Sequence, residues 1–312
     1  MTVAGSISWR TLRAPLLLTL LVLGSLVVPL PVSNRLSASL HAIAHVGFGA
    51  LLVVVFSRWL RRSRSARSEL WIALVSLCAA GFLLGLGEIL QPLAGRTASV
   101  RDLVTGAVGG LAGLAFVAAG SRKGVLRAAL AAVALAILLW PVVRAGLVWY
   151  DHGRQRETFP LLASFADRLE LSRWGANDAD HALSDDHATH GDGSLLVTLY
   201  PSAYPGVSMA WPPRDWRGYE ALAFDVWLDG EEPLDLILKV EDRPHDWDEA
   251  FRSLHPVRLV PGPNALCFPL RAIAEAPRGG PIDLGEVASF TLMAVDLETP
   301  RRFWLDAVRL EP

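Results

Sequence analysis

His41 and His45 stand four residues apart in one apolar run of this 312-residue chain, with Phe48 three further on, so all three share one helix face. Glu88 and Gln91, spaced i, i+3, close another apolar run; Arg96 follows in a short loop, and Asp102 opens the next run. Ionisable groups at membrane depth are costly and mark a functional site by default. Two carboxylates, imidazoles and a guanidinium at one level support several chemistries. Glu88 or Asp102 can act as a general base, with His45 as acid and Arg96 holding a phosphate. The same cluster can bind an anionic or glycan head group without turnover. The His-x3-His pair with Glu88 can also hold zinc, although no His-Glu-x-x-His string accompanies it. Structural roles compete with each reading: Asp102 as a helix cap, Glu88 with Arg96 as a loop-closing ion pair, the histidines as interfacial groups.

The elements that must position this cluster are long and apolar. The chain is 52% hydrophobic and 19% charged, with a mean hydropathy of +0.35. Nearly all the long apolar runs precede Tyr150, and most Asp and Glu residues follow it. The runs are Pro15–Leu30, about Leu40–Leu60, about Leu70–Leu90, roughly Leu103–Ala119 and roughly Ala128–Val148, the last interrupted by Pro141. Each is close to the roughly 20 residues that a helix needs to cross a bilayer. The first run reads as a retained helix; a signal peptide is the alternative, and both put the following residues outside. Gly81 and Gly85 precede Glu88 on its face, and Gly106, Gly109, Gly110 and Gly113 line the next run; such residues let helices approach closely.

Basic loops set the orientation. Arg10 and Arg13, then Arg58, Arg61, Arg62, Arg64 and Arg67, then Arg122, Lys123 and Arg127 alternate with loops carrying only Arg35, or Arg96 with Arg101. By the positive-inside rule the N-terminus is cytoplasmic and the segment after Tyr150 is extracytoplasmic. The expected location is therefore the plasma (inner) membrane, multi-pass, with the polar cluster in the outer leaflet. A formal net charge of -2 offers no footprint for nucleic acid. Cys78 and Cys267 lack the spacing of a metal or redox motif and read as packing residues.

After a polar linker at residues 151–160 the pattern turns to period two. Leu222, Phe224, Val226 and Leu228 share one face of a strand, and Leu234, Leu236, Leu238 and Val240 share one face of the next. Further strands are expected at Ser194–Tyr200, Val207–Trp211, Val257–Val260, Ala265–Leu270, Ser289–Leu297 and Phe303–Leu310, which suggests a two-sheet jelly-roll sandwich. Opposite the apolar faces stand Asp225 and Trp227 on the first strand and Asp235, Lys239 and Glu241 on the second, with His245 and Trp247 in the loop beyond. An aromatic plate ringed by charged groups suits a sugar, whose C–H face stacks while its hydroxyls find polar partners. His187 and His190 lie in a turn-rich lead into the strand at Ser194. No P-loop, nucleophile elbow or dinucleotide glycine pattern occurs in either half.

Two strings carry resemblances. Glu88-x-x-Gln91-x4-Arg96-x5-Asp102, preceded by His45-x-x-Phe48, resembles the VanZ-like membrane domain over roughly Pro15 to Ala119. This chain has His41 and Ala42 where that family usually has an Asp-Lys pair, and Gly106 where it commonly has Asn. The resemblance implies a cell-envelope protein of a family linked to resistance to glycopeptide antibiotics of the teicoplanin type. The second half, through Trp211-Pro-Pro-Arg-Asp-Trp-Arg-Gly-Tyr, Val260-Pro-Gly-Pro-Asn and Phe303-Trp-Leu-Asp-Ala-Val-Arg-Leu, resembles the galactose-binding-like sandwich shared by many carbohydrate-binding modules. That resemblance implies a structural calcium ion as an optional component.

The expectation is thus a multidomain membrane protein: a bundle of about five transmembrane helices (1–150), a linker (151–160) and an extracytoplasmic all-β jelly-roll sandwich (161–312). Its role is binding rather than catalysis, with no cofactor. Its partners are membrane lipid and an extracytoplasmic polysaccharide or lipid-linked glycan. Membrane enzyme and protein-docking scaffold are the alternatives.

Overall fold

The computed structural model describes Gly24 and residues 34–62, 68–94, 98–245 and 248–312. The expected helix at Pro15–Leu30, the basic residues Arg10, Arg13, Arg64 and Arg67, and the site candidates Arg96 and Trp247 lie outside those residues. The chain divides into two compact units, Met1–Val148 and Trp149–Pro312.

Four described helices occupy the apolar half: α1 (Arg35–Arg62), α2 (Glu69–Leu90), α3 (Val100–Gly120) and α4 (Gly124–Thr158). All four are long and apolar enough to cross a membrane. Ser68 caps α2 and Ser99 caps α3, each side chain accepting a free backbone N–H three residues on. A 3-10 turn, Gln91–Ala94, extends α2. Leu52 and Val53 of α1 and Ala80 and Leu84 of α2 form a buried core with Phe48, Phe56, Leu77 and Leu103 around it. Ser57 donates to Ser76 across the α1–α2 contact at 3.0 Å, so this polar pair is satisfied internally.

Helices α1 and α3 meet backbone to backbone. A Cβ on Gly49 would lie 1.9 Å from the Gly106 carbonyl oxygen, and one on Gly109 would lie 2.1 Å from that of Val46. Gly106 itself faces Leu84 of α2, whose Cδ1 stands 2.7 Å from where a Cβ would be. The asparagine of the VanZ-like pattern would not fit there unless Leu84 moved. The expectation for Gly81 and Gly85 was different and needs correction. Among the described residues, a Cβ at Gly81 meets nothing within 4 Å, and one at Gly85 just touches Leu103 at 4.0 Å. Pro141 does not interrupt α4, which runs through it.

The second unit is a sandwich of two sheets, and every pairing of its described strands is antiparallel. The strands are β1 (Leu161–Ala163), β2 (Trp174–Asn177), β3 (Ala179–Ser184), β4 (Ser194–Leu199), β5 (Gly206–Ala210), β6 (Ala221–Leu228), β7 (Leu234–Asp242), β8 (Ser253–Leu259), β9 (Gly262–Pro269), β10 (Val287–Met293) and β11 (Arg301–Glu311). One sheet runs β3-β4-β11-β6-β9 with β1 added on β11; the other runs β2-β5-β10-β7-β8. Leu222, Phe224, Val226 and Leu228 of β6 and Leu234, Leu236, Leu238 and Val240 of β7 all enter the core between the sheets, as their alternation requires. A short helix, α5 (Leu270–Glu275), follows β9.

The strands before Ser194 are absent from the sequence reading, because β1 has only three residues and β2 and β3 are short and interspersed with polar residues or glycine. Residues 151–158 also differ from expectation. They continue α4 and carry Asp151, which is 1% exposed. Arg173, 4% exposed, donates from Nε and Nη2 to the Asp151 carboxylate and from Nη1 to the Leu162 carbonyl. This segment is thus an integral part of the sandwich unit. Cys78 and Cys267 are both free and exposed, so neither is a packing residue.

Candidate functional site

The helical unit brings three of its sequence-selected residues to one place. His45 comes from the middle of α1, Glu88 from the last turn of α2 and Asp102 from the first turn of α3. One donor atom from each lies within 4.8 Å of the others. His45 Nε2 stands 3.7 Å from Asp102 Oδ2. Glu88 accepts the Ser99 backbone N–H on Oε2 at 2.8 Å and the Gln91 amide on Oε1 at 2.9 Å. The carboxylate therefore sits against the N-terminus of α3, where free N–H groups and the helix dipole favour negative charge. The α3 cap is Ser99, not Asp102; the Asp102 backbone N–H donates to the Ser99 hydroxyl. His45 and Gln91 are buried at 4% and 0% exposure, and among the described residues His45 Nδ1 and Gln91 Oε1 have no hydrogen-bond partner. His41, one turn before His45, is half-buried and has a partner of its own.

The sandwich separates what the sequence reading had placed together. Asp225 and Trp227 belong to β6 in one sheet, while Asp235, Lys239 and Glu241 belong to β7 in the other. Their outward side chains therefore point away from each other on opposite sides of the core. Strand parity tells which side chains face outward; it does not tell which sheet a strand joins, and in this topology the chain crosses between sheets from β6 to β7.

On the six-stranded sheet the chain covers its own aromatic plate. The His187 ring stacks on Trp227 with centroids 4.2 Å apart and meets Trp304 edge-on at 4.6 Å. His187 adopts φ +56°, a left-handed conformation that a non-glycine side chain rarely takes. The loop is pinned beside it: Asp306 Oδ2 accepts the backbone N–H groups of Thr189 and His190, and Asp225 accepts the Thr189 hydroxyl. Burial pushes the Asp306 carboxyl above its usual range, and those donors pull against the shift. Its oxygens are engaged by N–H and O–H donors, an arrangement that suits an anchored carboxylate rather than a cation ligand. His187, read as part of a plain turn, is thus the residue that masks Trp227.

The five-stranded sheet instead presents an open groove of 1270 Å³ on its outer face. Register builds its floor. Gly175 pairs with Ser208, Ser208 with Thr291, Thr291 with Lys239, and Lys239 with Leu254, one row across all five strands. The adjacent row brings Ser289 beside Glu241. Glu241, 3% exposed, lies beneath this floor and anchors it. Its carboxylate accepts from Arg252 Nε at 3.1 Å and the Ser289 hydroxyl at 3.2 Å, and lies 3.0 Å from Lys239 Nζ. Tyr204, Asn177 and Arg278 line the walls, and Ile237, Met293 and Val295 add apolar surface. Two of the five sequence-selected glycan candidates, Lys239 and Glu241, belong to this region. Ser208, Ser289, Thr291 and Arg252 were missed. Their alternation with Val207, Met209, Phe290 and Leu292 marks the three strand residues as outward-facing, but nothing local says that β5, β10 and β7 are neighbours. His245, next along the chain, is held by Asp242 at 2.7 Å and stacks on Phe251.

No protein-family model matches the chain, and no curated protein matches it in sequence. Among solved structures, the sandwich resembles carbohydrate-binding modules. A family 11 carbohydrate-binding module from Clostridium thermocellum, in complex with a β-1,3-1,4-mixed-linked tetrasaccharide, is 14% identical with a TM-score of 0.38, covering 45% of this chain and 88% of the module. A xylan-binding domain of family 22 is 18% identical with a TM-score of 0.33, covering 48% and 91%. An exo-β-agarase is 14% identical with a TM-score of 0.41, covering 49% of this chain and 24% of the agarase, so the match spans about a quarter of that enzyme. At these identities the likeness concerns the fold.

Proposed function

We propose that this chain is a multi-pass membrane protein that holds a glycan-binding sandwich on the extracytoplasmic side, the ligand lying in the groove of the five-stranded sheet. The observation that carries the reading is the groove itself, floored by Lys239, Arg252, Ser289 and Thr291, with the buried Glu241 holding Lys239, Arg252 and Ser289 from beneath. Sugar hydroxyls both donate and accept, so a floor mixing cations and hydroxyls can pair with several at once, while Ile237, Met293 and Tyr204 offer surface to C–H faces. Lys239 and Arg252 are already oriented by Glu241, which reduces the entropy lost on binding. Asp225 and Trp227, engaged by Thr189 and His187, are assigned a structural role. The membrane setting is supported by the four apolar helices and by the basic loops, which put the N-terminus inside.

The test is calorimetric titration of the Trp149–Pro312 unit, which contains its own hydrophobic core, with soluble envelope and plant polysaccharides. Binding should fall at least tenfold in Glu241→Gln and in Thr291→Ala, and should persist in Trp227→Ala. Binding lost in Trp227→Ala alone would move the site to the six-stranded sheet. No binding to any glycan would favour a protein-docking scaffold.

For the helical unit we keep the VanZ-like, cell-envelope reading, with His45, Glu88, Gln91, Arg96 and Asp102 forming a polar pocket for a lipid-linked or glycopeptide head group. Its support is the convergence of His45, Glu88 and Asp102 from three helices. The same convergence favours, as a second reading, a membrane enzyme using Glu88 or Asp102 as general base and His45 as acid. A change in envelope lipid or glycan profile that Glu88→Gln reverses would select the enzyme.

A further inference from the structure

The helix-end cluster has the composition of a metal centre, and this inference is independent of the glycan groove. Donors of three kinds converge from α1, α2 and α3: the imidazole of His45, carboxylate oxygens of Glu88 and Asp102, and the amide of Gln91. One atom from each of the first three lies within 4.8 Å of the others. Four-coordinate zinc sets its donors about 3.3 Å apart, so an ion would draw these atoms together by up to about 1.5 Å, within reach of side-chain adjustment.

Two unmet needs point the same way. His45 is 4% exposed, its Nδ1 has no partner among the described residues, and its Nε2 is 3.7 Å from Asp102, too far for a hydrogen bond. Gln91 is wholly buried with Oε1 unpartnered among the described residues, while its Nε2 bond to Glu88 fixes the amide head at the cluster. Buried polar atoms without partners are costly; a single ion can engage one imidazole nitrogen of His45, the other then carrying the proton. Charge adds to this. Two neighbouring carboxylates favour a divalent ion between them. Glu88 is oriented by Ser99 and Gln91, the kind of outer support that metal-ligating carboxylates receive.

We propose that His45, Glu88 and Asp102 bind one divalent transition-metal ion of zinc's class, with Gln91 at the edge of the site. Imidazole beside carboxylates selects this class over magnesium or calcium, which prefer all-oxygen sets. Three protein ligands leave a fourth position open to water or to an anionic oxygen.

The experiment uses the full chain in detergent micelles, without a histidine tag, stripped by a chelator and titrated with Co2+ alone. Wild type should take up one ion per chain with the intense visible absorption of four-coordinate cobalt, and Zn2+ should displace it. His45→Ala and Asp102→Asn should abolish that absorption. Gln91→Leu should weaken affinity about 10–100-fold, the usual loss for a supporting partner. His187→Ala and His245→Ala in the sandwich should leave binding unchanged. Wild type that takes up no cobalt overturns the proposal whatever the variants do, as does weak six-coordinate absorption that survives His45→Ala. Helicity by circular dichroism separates a lost site from a lost fold.

Discussion

Replacing Asp151 by alanine should destabilise the sandwich unit more than any exposed charge change. Asp151 and Arg173 form a bidentate pair with contacts of 2.7–3.2 Å, both side chains almost wholly buried. Removing one member of such a pair strands the other charge in a poorly solvated place and typically costs about 3–5 kcal/mol. The Leu162 carbonyl stays on Arg173 Nη1 at 3.0 Å and Glu170 remains 3.8 Å away, so the lower end applies, about 3 kcal/mol. For a domain of this size each kcal/mol moves the midpoint by about 2–4 °C, which gives a fall of about 6–12 °C. The assay is thermal unfolding of the Trp149–Pro312 unit by circular dichroism. Arg258→Ala, which breaks the exposed pair with Asp235, serves as control and should change stability by less than about 1 kcal/mol. An Asp151→Ala midpoint no lower than the control's would refute the reasoning, and with it the claim that residues 151–158 belong to the sandwich.

Three further outcomes are expected. Gly49→Ala should destabilise the helical unit by about 1–3 kcal/mol, because its methyl meets the Gly106 carbonyl, whereas Gly47→Ala, in open space, should not; melting in detergent compares the two. Burial lowers the His255 pKa below 6.5, so the unfolded chain binds the proton more readily there. Sandwich stability should therefore rise with pH up to the unfolded value, and His255→Gln should flatten the slope of midpoint against pH below 6.5. Asp306 behaves oppositely: its carboxyl is raised above 3.8, so its contribution is greatest below that value and is lost as pH rises through the folded value. A midpoint that climbs steadily across that window in His255→Gln would contradict the sign for Asp306.

Much of the architecture is written in local pattern. Bilayer-length apolar runs place α1 to α4 within a few residues, with the exception of the ten residues by which α4 outlasts its apolar stretch. Those residues are polar, and their helix is held by tertiary contacts such as Asp151 with Arg173. Period-two alternation fixes which side chains of β6 and β7 enter the core, because a strand buries every second residue whatever its neighbours. Spacing along three helices also selects His45, Glu88 and Asp102, since polar groups in apolar runs are conspicuous.

Strand neighbourhood was decided by the tertiary structure alone. Whether Trp227 is an open plate or lies beneath His187 depends on a loop some 40 residues away in sequence, and whether Lys239 shares a surface with Asp225 or with Thr291 depends on the order of strands in two sheets. Such choices come from the packing of the whole core, to which each strand contributes the same alternating signal. The helix pairing has the same origin. Glycines at 81, 85, 106 and 109 look alike in sequence, yet among the described residues only at Gly106 and Gly109 does another helix press close, since the direction of a close approach is a property of two helices and not of one.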